Sequence, residues 1–334
     1  MDFYSAATPA LRIAGTGQYL PSHKRLSSDI DAMLGWSNGD IEARFGIRSR
    51  HVADADETSS MMAAAAAQNA LDAANIKPEE LDLILGACGV MEQAIPSTAT
   101  LVQNRLGLGR SGIPAYDLNA TCLSFIQALD LAAMKIRLGQ ARNVLIFAAD
   151  IASVGLDWTR PEVAAIFGDG AAAVILTADG EGLLASRFET YSEGHHACVL
   201  AGGGTRMAKI VEPEAAARAP FFQMDGAVAF RVAARRMPRF LKRLLDDAGV
   251  GIDALDCIIP HQASAQGMGH SAARLGISGD KVVQTFADLG NQIATSIPTV
   301  LHHAIQTGRL KRGDLALLIG TSAGISLGGA VVRY

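Results

Sequence analysis

At 334 residues the chain exceeds what one ordinary core needs, so two domains or two fused halves are expected. An apolar fraction of 49% with 19% charged residues excludes a disordered chain, and a net charge of −4 gives no global case for a nucleic-acid partner. Four widely spaced cysteines without a Cys-x-x-Cys pair indicate neither a disulfide framework nor a metal site, which leans toward a cytoplasmic protein.

Taken in order, Leu11 to Leu20 reads as a first strand, following a start with no basic-then-apolar signal segment. Ser27 to Phe45 is helical in parts, broken at Gly35 and Gly39. Thr58 and Ser59 can cap a helix running to Ala74. Its alanine run is too short to cross a membrane. Leu81 to Val90 is a continuous apolar strand, expected to be covered on both faces. A loop at 93–98 and a short helix to Leu106 follow. Asn143 to Ala149 and Ala171 to Thr177 are further buried strands, the second after Phe167-Gly168-Asp169-Gly170. The midpoint falls near Asp179-Gly180, dividing residues 1–179 from 180–334. Beyond it, Leu183 to Tyr191 is a strand, and Gly202-Gly203-Gly204 is a loop without phosphate-cradle spacing. Val228 to Ala248 is a basic amphipathic helix that Pro238 should kink or break. Cys257 to Pro260 is a strand ending at His261, with a helix to Leu275. Val282 to Phe286 reads as a strand, Thr295 to Thr307 as a helix, and Leu315 to Ile319 and Ile325 to Arg333 as the last strands. Residues 80–88 rhyme with 254–262, each after a helix and a short turn, which hints at internal duplication.

The chemistry centres on Asp117 to Phe125. An extended run, Ile113 to Leu118, leads in, and a helical pattern leaves through Leu123, Ile126, Leu129 and Met134. Cys122 therefore sits where a strand turns into a helix, with Asn119 and Thr121 as capping candidates. Unpaired N–H groups and the helix dipole would favour its thiolate. The alternative is a buried structural cysteine. His261 and Asn291 also fall at strand ends, where ligands of α/β sheets collect. A His and an Asn can both donate to a thioester carbonyl while a Cys takes the acyl group.

Several motifs carry a resemblance. They are Gly46-Ile47-Arg48-Ser49-Arg50-His51, Pro96-Ser97-Thr98-Ala99, the Cys122 segment, Phe167-Gly168-Asp169-Gly170-Ala171, Met224-Asp225-Gly226, His261-Gln262-Ala263, Gly290-Asn291 with Ser296-Ile297-Pro298, and Gly328-Gly329-Ala330. Together they resemble the beta-ketoacyl-acyl-carrier-protein synthase III family of thiolase-like condensing enzymes, nearly end to end. The resemblance implies a five-layer αβαβα fold of two similar halves, the first carrying the nucleophilic Cys and the second the His and Asn. It implies a homodimer and a catalytic triad of Cys122, His261 and Asn291, with an oxyanion hole from the backbone N–H groups of Cys122 and Ala323. Arg44, Ile95, Arg160, Phe167, Ser264 and Gly324 would bind the acyl chain and pantetheine. Arg231, Arg235 and Arg274 would dock an acyl carrier protein.

The implied reaction is a decarboxylating Claisen condensation of a Cys-bound acyl group with a malonyl thioester. Acyl-CoA, acyl carrier protein and malonyl thioesters serve as substrates, and no metal or organic cofactor is required. Departures from the family pattern are Ser264 for Asn, Asp40 where CoA users carry an adenine-stacking Trp, and Ile95 for Phe. They leave open a head-to-head condensation of two long acyl-CoAs, with Glu92 as base, or acyl transfer to a non-malonyl nucleophile. A non-catalytic scaffold subunit is the third alternative.

Overall fold

Val144 to Ala149 are fully buried without a break. A strand with no polar face must be covered on both sides, and that requirement organises the molecule. The structure, a computed structural model, describes residues 11–180 and 182–334. A five-stranded sheet runs in the order Arg12–Tyr19, Gly170–Thr177, Asn143–Asp150, Leu83–Gly86, Ala115–Asp117. The first two pairings are antiparallel and the last two parallel. A four-stranded sheet runs in the order Leu183–Thr190, Ser326–Arg333, Leu315–Ser322, Cys257–Pro260. Its senses repeat the first: antiparallel, antiparallel, parallel. Where the first sheet has its fifth strand, the second has a single parallel bridge, Ile258 to Val282.

Two helices, Ser124–Arg137 and Ser296–Gln306, lie between the sheets. Leu129, Ala132, Val300 and Leu301 from these helices join Leu83, Leu85, Val144 and Ile146 of one sheet and Ile259, Ala316 and Leu318 of the other in one apolar cluster. The alternate residues Ile84, Leu145 and Phe147 face outward onto the alanine-rich helix Ser59–Ala74 and its neighbour Thr98–Arg105. On the far side Leu317, Ile319 and Val331 meet the helix Gly226–Ala248. The layers are therefore α, β, α, β, α.

Some elements differ from expectation. The strand expected over 81–90 is confined to Leu83–Gly86, and that expected over 113–118 to Ala115–Asp117. Val282 to Phe286 is not a strand; the helix Phe286–Leu289 takes its end. The helix Gly226–Ala248 runs on through Pro238. An antiparallel pairing of His23–Leu26 with Ser49–Val52 was not read from the sequence.

Candidate active site

Cys122 lies in a single 3-10 turn, Thr121–Leu123, immediately ahead of the first central helix. Thr121 has φ 50°, and its N–H donates to Asn119 Oδ1 at 2.8 Å. The Ala120 N–H donates to Ser124 Oγ at 2.9 Å, and that hydroxyl donates back to Thr121 O at 2.7 Å. Asn119 thus closes the turn as expected, but Ser124, not Thr121, completes it.

Asn291 stands in a second turn of the same construction. The Ile293 N–H donates to Asn291 Oδ1 at 2.9 Å, Ile293 has φ 52°, and the Gln292 N–H donates to Ser296 Oγ at 3.0 Å. The carbonyl side of the Asn291 amide is occupied by this bond, which orients its NH2 side as the free donor. The backbone of Asn291 is clamped at both ends, its N–H on Ile166 O at 2.8 Å and its carbonyl accepting from Gly168 N–H at 3.1 Å. Phe167 between them is buried edge-on against Phe222.

His261 follows the strand Cys257–Pro260, its N–H donating to Ile319 O at 2.8 Å. Gly320 joins it to the cysteine turn: a Cβ there would lie 2.8 Å from His261 Cβ and 3.2 Å from Leu123 Cδ2. Only glycine lets the histidine and the residue after Cys122 share that floor. The turn at Ala323 then brings its N–H to the thiol, alongside the N–H of Cys122 itself.

The electrostatics run against the expected thiolate. Burial, then the charge of Asp150, then Cys198 push the Cys122 thiol up to about 12, while the N–H groups of Cys122 and Ala323 pull it the other way. A single 3-10 turn offers less dipole than a helix end, and burial outweighs it. Burial also lowers His261 to about 4, so its ring is neutral near pH 7. His261 Nδ1 is sealed without a hydrogen-bond partner. An unpaired buried N–H is rarer than an unpaired acceptor, which places the proton on Nε2.

Other expected residues fall around this centre or on the surface. Ser264 Oγ accepts the Gly267 N–H at 3.1 Å and caps the helix Ala265–Arg274, which accounts for a short hydroxyl at that position. Gly324 lies in the turn between the strands Leu315–Ser322 and Ser326–Arg333. Arg44 sits 4.2 Å over the Trp36 ring and 3.6 Å from Asp40. Arg160 pairs with Glu162 at 3.2 Å on the surface. Ile95 is 85% exposed at a loop tip. Arg231, Arg235, Arg239 and Lys242 are exposed on one face of the helix Gly226–Ala248, and Arg274 is exposed nearby in sequence order after His261. Arg236 leaves that stripe for Glu193 and the Tyr191 ring. His302 is half-buried, its Nδ1 2.9 Å from Thr16 Oγ1.

Ser124 and Ser296, which stand in the sequence motifs without an assigned role, and Gly320 and Asp150, which stand outside them, were not identified from sequence. The first two were available as a repeated spacing, Asn119 to Ser124 and Asn291 to Ser296. Among the described residues no group of three or more His, Cys, Asp or Glu could hold a metal ion. No described helix is long and apolar enough to cross a membrane.

Residues 116–192 match the family model for 3-oxoacyl-acyl-carrier-protein (ACP) synthase III, and residues 245–334 the model for its C-terminal part. Residues 43–149 match the thiolase N-terminal domain. The beta-ketoacyl-acyl-carrier-protein synthase III of Neisseria meningitidis is 37% identical over 97% of this chain and 99% of its own. The crystal structure of 3-oxoacyl-acyl-carrier-protein synthase III from Aquifex aeolicus superposes with a TM-score of 0.87 at 35% identity, covering 97% of this chain and 100% of that one. The priming beta-ketosynthase of the R1128 polyketide pathway gives a TM-score of 0.89 at 27% identity, covering 98% and 97%.

Proposed function

The chain belongs to the 3-oxoacyl-acyl-carrier-protein synthase III family of acyl-condensing transferases, and on that premise we propose that it joins a Cys122-bound acyl group to a malonyl thioester with loss of carbon dioxide. The observation that carries this reading is the pair of donors without an acid: a neutral His261 and an Asn291 whose oxygen is already engaged. Two neutral donors suit an enolate formed by decarboxylation, which needs stabilisation but no proton removal.

In the first half-reaction Cys122 Sγ attacks the acyl thioester carbonyl. The N–H groups of Cys122 and Ala323 hold the oxyanion, and the leaving thiolate takes up the proton released by Cys122. In the second, a malonyl thioester loses carbon dioxide as His261 Nε2 and Asn291 Nδ2 donate to the enolate oxygen. Its carbon attacks the acyl-enzyme carbonyl, and collapse expels the Cys122 thiolate with a beta-ketoacyl thioester. The head-to-head alternative needs a free carboxylate near Ile95. Glu92 has one oxygen engaged by the Ser60 N–H at 2.6 Å at the start of the helix Ser59–Ala74, which favours the decarboxylating reading over it.

We further propose a homodimer in which the exposed Ile95 closes the partner's acyl pocket, with Phe167, Ser264 and Gly324 lining the pantetheine path. Arg44 already covers the Trp36 face, which disfavours adenine stacking there, so carrier-protein donors should serve at least as well as CoA donors. Arg160 would flank the nucleotide of a CoA donor. The test is carbon dioxide release from a malonyl thioester by protein pre-acylated on Cys122, compared across acetyl-CoA, octanoyl-CoA and octanoyl-carrier protein. Release tied to acylation is expected, with octanoyl donors ahead of acetyl. Acyl-enzyme that forms but releases no carbon dioxide would overturn the decarboxylating reading.

A further inference from the structure

We propose that Asp150 is the positioning residue that fixes the Asn291 turn against the Cys122 turn; this rests on the condensing reaction above. Asp150 ends the strand Asn143–Asp150 and is completely buried. One carboxylate oxygen accepts the N–H groups of Gly89 and Val90 at 2.8 and 3.0 Å. The other accepts both the N–H and the hydroxyl of Thr295, each at 3.1 Å. Thr295 closes the 3-10 turn Ile293–Thr295, whose first residue holds the Asn291 side chain.

The Gly89 side of the bridge leads to the nucleophile. Asn119 Nδ2 donates to Gly89 O at 3.2 Å, and Ser124 Oγ reaches Cys88 O at 3.3 Å. Gly89 also packs directly under Ile293: a Cβ there would stand 2.4 Å from Ile293 Cγ2. Both turns therefore rest on residues 88–89, and the one carboxylate spans them. Its lone pairs are matched by four donors, so the placement is specific. An amide could not fully replace this carboxylate, because its second oxygen meets the Thr295 N–H, which it shares with Gln292 O at 3.0 Å, and an amide NH2 there would oppose that donor. The cost is a negative charge felt at Cys122, which responds to Asp150 first and then to Cys198. Asp150 in turn faces Cys88 and Cys122, and burial lifts it to about 6 against its donors, leaving it mainly ionised at pH 7.5.

This predicts opposite signs for two readouts in Asp150→Asn. Loss of one acceptor loosens Asn291, so condensation kcat falls by about 10-fold or more, as small displacements of positioned groups do. Removing the charge lowers the Cys122 thiol pKa, so iodoacetamide labels Cys122 several times faster at pH 7.5, and the labelling profile moves to lower pH. A merely structural residue would slow both together. Thr295→Val provides a second route: it removes only the hydroxyl bond, and should lower condensation severalfold while leaving the labelling profile in place. The proposal is overturned if folded Asp150→Asn condenses at the wild-type rate, or if labelling and condensation fall by the same factor. Should Asp150→Asn not fold, wild-type condensation by Thr295→Val overturns it. Labelling needs no condensation, so a wild-type protein that fails to condense malonyl thioesters would sink the proposed function and still leave the labelling shift to judge Asp150.

Discussion

The turns at Cys122 and Asn291 are built alike and do different work. Asn119-Ala120-Thr121-Cys122-Leu123-Ser124 and Asn291-Gln292-Ile293-Ala294-Thr295-Ser296 share an Asn that accepts from the N–H two residues on. They share a third residue at φ near +50° and a Ser that accepts from the residue after the Asn. Each then opens a central helix. Position four is Cys122, the proposed nucleophile, in one and the fully buried Ala294 in the other. Position one is Asn291, proposed as a donor to the enolate, in the second turn and Asn119, which only holds the turn, in the first. What separates them is the surroundings: the strand Leu315–Ser322 delivers Ala323 N–H to the first turn, while the strand Asn143–Asp150 delivers a carboxylate to the second. Each sheet's strand end thus supports the turn that belongs with the other sheet.

The largest expected effect comes from exchanging position four. Cys122→Ala should abolish the acyl mass on the intact protein, and Cys122→Ala with Ala294→Cys should not restore it, because position 294 is sealed and lacks the Ala323 N–H. Acyl adduct on the double variant, located by peptide mass spectrometry, would break the distinction between the turns. Exchange at position one is next. Asn291→Ala should keep much of the acylation of Cys122 but lower condensation by about 10²-fold, the scale of losing one oxyanion donor. Asn119→Ala should lower both steps together and by less, since it only loosens a turn. Equal and step-specific losses in the two variants would overturn the assignment.

Much of this was legible in the chain. Strands buried on both faces show as unbroken apolar runs, and Asn143 to Asp150 and Gly170 to Thr177 match them closely. Thr58 caps its helix, accepting from the Met61 N–H at 3.3 Å. Short strands are shorter than their apolar runs: Leu81 and Cys88 to Val90 lie outside the strand, and Ala87 adds one last backbone bond, its N–H to Phe147 O at 2.7 Å. Val282 and Val283 are buried, yet only one bridge forms before Phe286 turns into a helix. The thiol was misjudged because a cysteine at a strand-to-helix turn signals a dipole, whereas burial and the charge of Asp150 act through space. Asp150 itself ends an apolar strand and carries no local motif; its four donors come from residues 89–90 and 295.

Strand ends extend the comparison with a smaller effect. Residues 80–88 and 254–262 occupy matching places, and Asp82 and Asp256 each take backbone N–H groups of the adjacent parallel strand, at Asn143 and Leu315. One run ends in Cys88, whose thiol burial holds well above its ordinary range; the other ends in Gln262, with His261 just before it. The histidine's folded pKa, about 4, lies below its unfolded value of 6.5. Its contribution to stability is therefore complete above 6.5 and is lost as pH falls toward 4, by up to roughly 3 kcal/mol. Asp150 acts oppositely: its raised pKa gives stability that is present below its unfolded value and is lost as pH rises toward 6. Wild-type stability alone would blur the two, so the measurement is the difference between wild type and His261→Gln in urea midpoints from pH 7.5 to 4.5. The gap should move in favour of the variant as pH falls. A gap independent of pH would place His261 in a more polar setting than described here.

The outer layers give the smallest and most tunable effect. The helix Ser59–Ala74 on the first sheet carries no Lys or Arg, whereas Gly226–Ala248 on the second presents Arg231, Arg235, Arg239 and Lys242 at intervals of three or four residues. Lys242 is tied to Asp246 at 2.8 Å, which leaves the three arginines as the available charge. If this face attracts an acidic carrier protein, each exposed charge is worth about 1 kcal/mol or less and weakens with salt. Arg231→Glu with Arg235→Glu should then raise KM for octanoyl-carrier protein by about 10-fold at low salt, through slower association. Octanoyl-CoA should keep its KM, and the gap between the two donors should narrow as salt rises toward 0.5 M. A loss shared equally by both donors would mean that the stripe shapes the thioester path itself, and salt-independent loss would mean that the substitutions disturb the helix. Added negative charge on Ser59–Ala74, such as Gln68→Glu, should leave both donors untouched, which separates docking from the general effect of net charge.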